Sequence, residues 1–333
     1  MDIKRIVVVG GGTGNHTTLS GLKYEECDLT AVVAMTDSGG SSGRLRDELG
    51  QLPPGDIRQC LVALAPDDHS SALMARLFDY RFNAGNGLLG HSFGNLLLTA
   101  LTEITGNTAT AITEASHMLA IKGTVFPVTL TKSSLVARLK DGLEIVGEAN
   151  IDQRQENLDI SIDYVYLEPK AYAYPPVIDA IESADAIVMG PGDIYTSILP
   201  NLLVEDVAAA IGRSDAVKIC ICNLMTKPEE SDGFKAPDFV NLLREYLGTT
   251  DQLDYLVVNN APFPEKLLER YSSYGQYPVE VDLEACHKVV RHVVQESLLS
   301  AGVYLRHDPL ALARTIMGIV NAEVPHTEPS IRS

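Results

Sequence analysis

The chain has 333 residues, of which 45% are hydrophobic and 21% charged, and 44 acidic residues against 26 basic residues give a formal net charge of −18. Length and composition are ordinary for a globular protein with one large α/β domain. An acidic surface repels nucleic acid and anionic membranes, which excludes both as general partners. A bound anion must therefore be held locally, by backbone amides and a few placed arginines.

The sequence predicts a cytoplasmic protein without a membrane span. No segment approaches the roughly 18 consecutive apolar residues of a membrane helix, and Gly10 ends the first apolar run too early for a signal peptide. Five scattered cysteines fit a reducing compartment without a disulfide framework. Cys220 and Cys222 are the one close pair. We expect buried strand residues there rather than zinc ligands, because no second Cys/His pair is spaced nearby.

Short β-branched runs alternate with amphipathic segments along the first third of the chain, which is typical of βαβ units. A first strand is predicted over 3–10 and its helix over 17–24. The second strand, over 29–37, has the composition of a strand buried on both faces. Further helices are predicted over 91–106 and 108–121.

The pattern changes in the middle of the chain and then returns. Residues 123–169 predict a β-rich insertion with short strands at 124–130, 133–139, 143–150 and 160–169. The βα alternation resumes with predicted helices over 175–185, 201–214, 236–248, 264–275 and 308–323 and strands over 186–193, 216–224 and 253–260. The predicted fold is therefore α/β, with a Rossmann-like, mostly parallel sheet flanked by helices (1–122 and 170–325), a smaller β-rich insertion (123–169) and a tail (326–333).

A cluster of glycines, Gly10 to Gly14 with Thr13 among them, lies where the first strand should pass into a helix. Glycine lets backbone amides approach a ligand closely, and a helix N-terminus favours negative charge. The cluster is neither a clean Rossmann fingerprint, because Asn15 or Thr17 takes the third glycine position, nor a Walker A loop. It predicts phosphate binding, with a tight structural turn as the alternative.

A second glycine-rich stretch follows the second predicted strand. Asp37 stands where a Rossmann protein holds a ribose hydroxyl, and a carboxylate there could also hold Mg²⁺. The next residues predict a second anion-binding loop with cations attached: Gly39, Gly40, Ser41, Ser42, Gly43, Arg44 and Arg46. Asp56 and Arg58 follow in a rigid turn, where a structural ion pair is the alternative.

Three further polar stretches follow predicted strands or begin predicted helices. His91 and Asn95 are four residues apart and would share one helix face. Residues 190–197 close a strand with glycine, proline and hydroxyl groups, and Asn223 with Thr226 follows another buried strand. Since the carboxyl ends of parallel strands meet at one edge, these loops predict a single ligand crevice. No catalytic triad, cysteine signature or metal cluster is apparent, so the residues indicate binding more than chemistry.

Several motifs, in order and over nearly the whole chain, resemble the YvcK family of gluconeogenesis factors: GGGTG, DSGGSSGRLRDELGQLPPGDIR, LFDYRF, LLGHSFGNLLLTALTE, GPGDIYTSILPNLLV and CNLMT. That family belongs with the CofD proteins, the 2-phospho-L-lactate transferases. The resemblance implies a Rossmann-like fold in a cytoplasmic bacterial protein. YvcK-like members bind UDP-sugars such as UDP-N-acetylglucosamine and link carbon metabolism to cell shape and cell-wall homeostasis. CofD-like members transfer a phospholactyl group from a guanylylated donor with Mg²⁺.

The resemblance implies the following ligand-binding residues: Gly11, Gly12, Thr13, Gly14, Asp37, Ser38, Gly39, Gly40, Ser41, Arg44, Arg58, His91, Asn95, Gly190, Pro191, Gly192, Asp193, Tyr195, Thr196, Ser197 and Asn223. Asp37 is the best candidate for a catalytic or metal-binding residue. The family commonly has a second aspartate where this chain has Ser38, which weakens the case for Mg²⁺. It usually has serine in place of Asp193, whose carboxylate would repel a phosphate unless a cation intervenes.

Three functions remain open on these observations. The first is a regulatory protein that binds a nucleotide sugar, UDP-N-acetylglucosamine or UDP-glucose, and signals through an unknown protein partner. The second is a CofD-like, Mg²⁺-dependent transferase. The third is an NAD(P)-dependent oxidoreductase, disfavoured by the imperfect fingerprint and the absence of a proton donor. The first is the prediction here, and a homo-oligomer would fit the family.

Overall fold

The computed structural model of the chain describes residues 3–154 and 159–323. Its strands are β1 (Lys4–Gly10), β2 (Cys27–Val33), β3 (Thr124–Pro127), β4 (Ser134–Leu139), β5 (Glu144–Val146), β6 (Ile162–Glu168), β7 (Ala186–Met189), β8 (Val217–Ile221), β9 (Leu253–Asn259) and β10 (Val290–Glu296). Its helices are α1 (Gly12–Leu22), α2 (Gly40–Leu49), α3 (Gly55–Leu64), α4 (His69–Asp79), α5 (Phe93–Thr105), α6 (Thr108–Leu119), α7 (Glu148–Asp152), α8 (Pro175–Glu182), α9 (Leu199–Leu202), α10 (Val207–Arg213), α11 (Ala236–Tyr246), α12 (Glu265–Ser272), α13 (Leu283–Val289) and α14 (Pro309–Glu323), with a π-helical turn (Ile194–Ile198) before α9.

Seven strands form one parallel sheet in the order β10-β9-β8-β7-β1-β2-β3. The chain first runs outward from β1 to β3 and then resumes on the other side of β1 with β7, which is the strand order of a Rossmann sheet. The valines of β1 are at most 2% exposed, because helices cover the central strands. The predicted Rossmann-like α/β fold is confirmed.

A small antiparallel sheet in the order β5-β4-β6 lies in the chain between β3 and α8. The first predicted strand of the insertion is not part of it, because β3 pairs parallel with β2 in the main sheet. Gly123 permits this pairing: its φ is +94°, and a Cβ there would lie 2.3 Å from the Leu29 carbonyl oxygen. The division into domains at residues 123 and 169 stays a prediction.

The prediction of a glycine-rich loop after the second strand is wrong, because two helices, α2 and α3, occupy most of residues 38–56. Gly43 permits close packing within this region, since a Cβ there would lie 2.1 Å from the Ser38 carbonyl oxygen. The first helix also begins earlier than predicted, at Gly12 rather than Thr17. Gly12 and Gly14 thus lie in the first turn of α1, and Gly40 and Gly43 in the first turn of α2, rather than in free loops.

Other differences are local. The predicted helix over 201–214 is broken between α9 and α10 by Asp206, whose φ is +75°. The segment 143–150 is the short strand β5 followed by the start of α7. Burial of Cys220 and Cys222, at 2% and 3% exposure, is confirmed. The predicted tail, 326–333, lies outside the described residues.

Candidate functional site

A cleft of about 210 Å³ opens at the carboxyl ends of β1, β7 and β8, where the strand order of the sheet reverses. Open α/β sheets bind their ligands at such a reversal. The residues that line it come from five segments of the chain: Thr13, Gly14, Thr17, Pro191, Gly192, Asp193, Asn223, Leu224, Met225, Thr226, Lys227, Tyr271, Gln276, Leu305, Arg306 and His307. The structure therefore brings the first, fourth and fifth predicted polar stretches to one crevice.

The N-terminus of α1 forms one wall of this cleft. Gly11 is its N-cap residue and offers no side-chain cap, and Thr13 in the first turn is exposed. The amides of Thr13 and Gly14 and the helix dipole give this end a partial positive charge. The end of α1 can therefore hold a phosphate without any basic side chain of its own.

The facing loop after β7 is fixed by two close contacts. A Cβ on Gly14 would lie 1.8 Å from the carbonyl oxygen of Pro191, so α1 and this loop touch through backbone atoms. Asn223 holds the same loop from the other side: its Oδ1 accepts from the Gly192 N–H at 3.1 Å, and its Nδ2 donates to the Gly192 carbonyl at 2.9 Å. Asn223 thus positions the loop, since both ends of its amide bond to Gly192.

Lys227 supplies the cation that Asp193 requires. Its Nζ lies 2.7 Å from the Asp193 carboxylate and 3.0 Å from that of Glu230, and it also pairs with Asp152 of α7. Carboxylate oxygens of these three acids lie within 4.8 Å of one another. One ammonium group cannot neutralise three carboxylates. Burial, and then the negative charges of Glu230 and Glu148, therefore raise the pKa of Asp193.

A second acidic group lies beneath the glycines of α1. Asp56, which is half-buried, accepts a hydrogen bond from the Gly12 N–H. Burial first, and then the charges of Asp37 and Glu148, raise its pKa to about 8. Burial and Asp37 also raise the pKa of Glu148, at the start of α7, to about 7. This acidic group connects the cleft to the end of β2, where Asp37 lies.

Asp56 should make the stability of the fold depend on pH. The folded state keeps the Asp56 proton to about pH 8 while the unfolded chain loses it near pH 4, so the free energy of unfolding falls as pH rises between these values. Asp56→Asn cannot ionise and keeps an acceptor for Gly12. We expect it to raise the unfolding temperature relative to the wild type more at pH 8 than at pH 5, as measured by thermal unfolding.

Asp67→Asn is the control of opposite sign for this measurement. Hydrogen bonds from Tyr24 and then from Lys23 lower the pKa of Asp67, so its contribution to stability is present above pH 4 and lost below it. This variant should therefore be less stable than the wild type at pH 8. An Asp56→Asn protein with the same pH dependence as the wild type would contradict the assignment of a protonated Asp56.

The predicted residues around α2 form a network of their own. Asp37 Oδ1 accepts from the Gly39 N–H at 2.9 Å, and Ser38 Oγ accepts from the Ala149 N–H at 2.9 Å. Gly39 is the N-cap of α2, and Gly40 begins it. Ser41 Oγ lies 3.0 Å from His91 Nδ1. The first turn of α2 is therefore held from both α7 and the segment before α5.

The predicted basic and amide side chains of this group are engaged within the protein. Arg58 donates to Asn95 Oδ1 at 3.1 Å and pairs with Asp79, and Asn95 Nδ2 donates to Ser42 Oγ at 3.3 Å. Arg44 donates to the Leu89 carbonyl at 3.0 Å. The prediction that His91 and Asn95 share one helix face is wrong, because α5 begins at Phe93 and His91 precedes it; both side chains contact α2 rather than the cleft.

The π-helical turn after β7 carries the remaining predicted residues. Tyr195 is 4% exposed and lines a different cavity, near β6 and α11. Thr196 Oγ1 donates to Glu230 Oε1 at 3.1 Å. Ser197 lies near Gly11 and Gly12, and Gly190, with a φ of +85°, follows β7 beside Ile221. Of residues 190–197, only Pro191, Gly192 and Asp193 line the cleft.

Five functional candidates were not anticipated from the sequence: Glu148, Tyr271, Gln276, Arg306 and His307. Lys227, which follows the CNLMT motif directly, was also missed, although a lysine beside a polar strand end was a usable signal. Tyr271 lies in α12 and Gln276 just after it, while Arg306 and His307 follow β10. These segments are far along the chain from the glycine motifs, and no local pattern links them to the cleft.

Comparison with known proteins decides the family. The family model described as 2-phospho-L-lactate transferase CofD matches residues 6–299. The chain belongs to the CofD family. A relative from Thermotoga maritima is 44% identical over 320 residues, 94% of this chain and 98% of its own. The gluconeogenesis factor of Bacillus subtilis is 38% identical over 318 residues, 95% of this chain and 98% of its own.

A solved structure shares the fold of this CofD family member closely. The crystal structure of a UPF0052 family protein from Bacillus halodurans superposes with a TM-score of 0.89 at 38% identity, over 95% of this chain and 99% of that one. The resemblance to the gluconeogenesis factors (YvcK) is confirmed by these relatives. Over residues 3–154 and 159–323, no helix is both long and apolar enough to cross a bilayer.

Proposed function

We propose that this chain is a regulatory protein of the CofD family that binds a nucleotide sugar, UDP-N-acetylglucosamine or UDP-glucose, in the cleft beside α1. The observation that carries the proposal is the N-terminus of α1, which begins after Gly11 without a side-chain cap from that residue and faces a cleft at the reversal of the strand order. The pyrophosphate would lie against the amides of Thr13 and Gly14. The name of the Bacillus subtilis relative supports a role in carbon metabolism.

The charges around the cleft support an anionic ligand in a protein whose net charge is −18. Lys227 and Arg306 both line the cleft. Arg306 is exposed, and its guanidinium carbon lies 5.4 Å from the centre of the Tyr304 ring. Since carboxylates already surround the Lys227 ammonium, the local positive charge comes from Arg306 and the helix dipole. We also propose that the protein acts in the cytoplasm and forms a homo-oligomer. A protein partner would recognise its ligand-bound form and link it to cell shape.

Calorimetry with UDP-N-acetylglucosamine, UDP-glucose, GDP and NAD, each with and without Mg²⁺, tests this function. We expect binding of a UDP-sugar that does not need Mg²⁺. Arg306→Ala should weaken it by about tenfold, as the loss of one charged phosphate contact implies. Arg314→Ala is the matched control, because Arg314 is exposed on α14 outside the cleft. A folded protein that binds no UDP-sugar would contradict the proposal.

The second candidate is a CofD-like transferase, and the acidic group of Asp37, Asp56 and Glu148 favours it. These carboxyls lie close enough to perturb one another, and hard cations such as Mg²⁺ bind oxygen ligands of this kind. Against it, one Asp37 oxygen already accepts from Gly39, and Ser38 bonds to α7. GDP binding that appears only with Mg²⁺ and disappears in Asp37→Asn would favour the transferase.

A further inference from the structure

One helix of the protein, α4, adds little to the hydrophobic core. Of its 11 residues, all of them in the described part of the chain, only Phe78 is buried. Leu73 and Leu77 are 57% and 38% exposed, and Tyr80, which follows the helix, is 49% exposed. Positions 73, 77 and 80 are spaced by four and then three residues, so they share one side of the helix. α4 therefore presents an apolar stripe to the outside of the protein.

Two more exposed leucines lie in the loop that follows α4. Leu88 and Leu89 are 42% and 57% exposed. Hydrogen bonds hold this loop at its base: the N–H of Phe82 donates to the His91 carbonyl at 2.9 Å, and that of Gly90 donates to the Phe82 carbonyl at 2.8 Å. The loop thus returns to the end of α4. We call the exposed apolar residues of this region the α4 face: Leu73, Leu77, Tyr80, Leu88 and Leu89.

The α4 face is large enough to form the centre of a protein interface. Its five side chains expose about 450 Å², close to the apolar share of the roughly 800 Å² that each partner contributes to a standard interface. None of the five lines the cleft beside α1. Four of them belong to the motifs LFDYRF and LLGHSFGNLLLTALTE, so ligand binding in the cleft does not account for these residues.

The charges beside the α4 face are separated along the helix. Asp68 caps the N-terminus of α4, whereas Arg76 lies in its last turn and Arg81 follows it. Asp79, between the two arginines, already pairs with Arg58. An antiparallel second copy would place the acidic end of each helix against the basic end of the other and oppose the two helix dipoles. This complementarity counteracts the repulsion between two chains of net charge −18.

We propose that two copies of the chain pack their α4 faces against each other, antiparallel, around a two-fold axis that passes between Leu73 and Leu77. Leu73 of each copy then contacts Leu77 of the other, and Arg81 lies beside the first turn of the other α4. A different protein would need a matching apolar stripe between charges of opposite sign, whereas a second copy carries one by identity. This inference rests on the homo-oligomer of the proposed function and names its surface.

Analytical ultracentrifugation of the full chain tests the surface. We expect a dimer of twice 36.0 kDa. Leu77→Arg should raise its dissociation constant by about 100-fold, because two like charges would meet near the axis in an apolar contact. Ile104→Arg is the matched control: Ile104 is 80% exposed on α5, outside the α4 face, so this variant should dimerise within a few-fold of the wild type.

Cysteine cross-linking tests the antiparallel arrangement. His69 begins α4 and Arg81 follows it, and both are exposed. After mild oxidation, a mixture of His69→Cys and Arg81→Cys should form a disulfide-linked dimer, because the two positions approach each other across the axis. Neither variant alone should form more than the wild type, whose own cysteines are buried or half-buried. Stronger cross-linking in a single variant than in the mixture would overturn the arrangement.

The remaining outcomes separate this inference from the proposed function. A dimer that Leu77→Arg and Ile104→Arg weaken equally, or not at all, would overturn the role of the α4 face and leave the homo-oligomer in place. A wild type that is monomeric at about 100 μM would overturn both and leave the α4 face to a different protein. Neither result bears on the binding of a nucleotide sugar, which calorimetry tests separately.

Discussion

Replacing Gly14 with alanine should abolish measurable binding of a UDP-sugar and lower the free energy of unfolding by about 2–4 kcal/mol. The added Cβ would lie 1.8 Å from the carbonyl oxygen and 2.6 Å from the carbonyl carbon of Pro191. Both atoms belong to backbone, so the loop after β7 must move away from α1. That movement would widen the cleft where the phosphates are proposed to bind. Thermal or urea unfolding and calorimetry measure the two effects.

Gly318 provides the matched control for this substitution. It lies within α14, and no atom is within 4 Å of the position that its Cβ would take. Gly318→Ala should stabilise the protein by about 0.5–1 kcal/mol, because alanine is the better helix former, and leave ligand binding unchanged. A Gly14→Ala protein as stable as Gly318→Ala, with wild-type affinity, would contradict the close contact of α1 and the loop.

Removing the charge of Lys227 should destabilise the protein by about 2–4 kcal/mol, since Lys227→Met leaves partly buried carboxylates without their cation. The Lys227 side chain is 18% exposed, and that of Glu230 is 1% exposed. Acidification should restore part of the loss, because protonated carboxyls no longer repel one another. Urea unfolding of this variant and the wild type at pH 5 and pH 8 measures the difference.

Lys170→Met is the control for Lys227→Met. Lys170 also pairs with a carboxylate, that of Glu205 at 2.9 Å, but its side chain is 76% exposed. Exposed pairs of this kind contribute between 0 and about 1 kcal/mol. Two results would contradict this role of Lys227. The first is an equal loss of stability in the two lysine variants. The second is a Lys227→Met protein whose loss of stability, relative to the wild type, is no larger at pH 8 than at pH 5.

The Rossmann-like sheet could be predicted because its strands carry a strong local signal. The buried valines of β1 and the apolar run of β7 can form few other structures. The helix α2 could not be predicted, since Gly39 to Gly43 has the composition of a loop. Gly43 is required by close packing against Ser38 and Gly40 by its φ of +44°, and both requirements appear only in the folded structure.

The candidate site was predictable where it follows strand ends and not elsewhere. Thr13, Gly14 and Asp193 line the cleft because the carboxyl ends of β1 and β7 are adjacent. Arg306 and His307 reach the same cleft only because β10 and α14 return the chain to it. No spacing in the sequence encodes that return. Conversely, Arg58 looks like an anion ligand in the sequence but bonds to Asn95 and Asp79.

The most direct test of the central claim is a crystal structure of the protein with UDP-N-acetylglucosamine. We expect the diphosphate at the N-terminus of α1, within hydrogen-bond distance of the Thr13 or Gly14 amide, and Arg306 on the same side of the cleft. A diphosphate bound instead at the N-terminus of α2, beside Asp37 and a divalent cation, would contradict this account and favour the transferase.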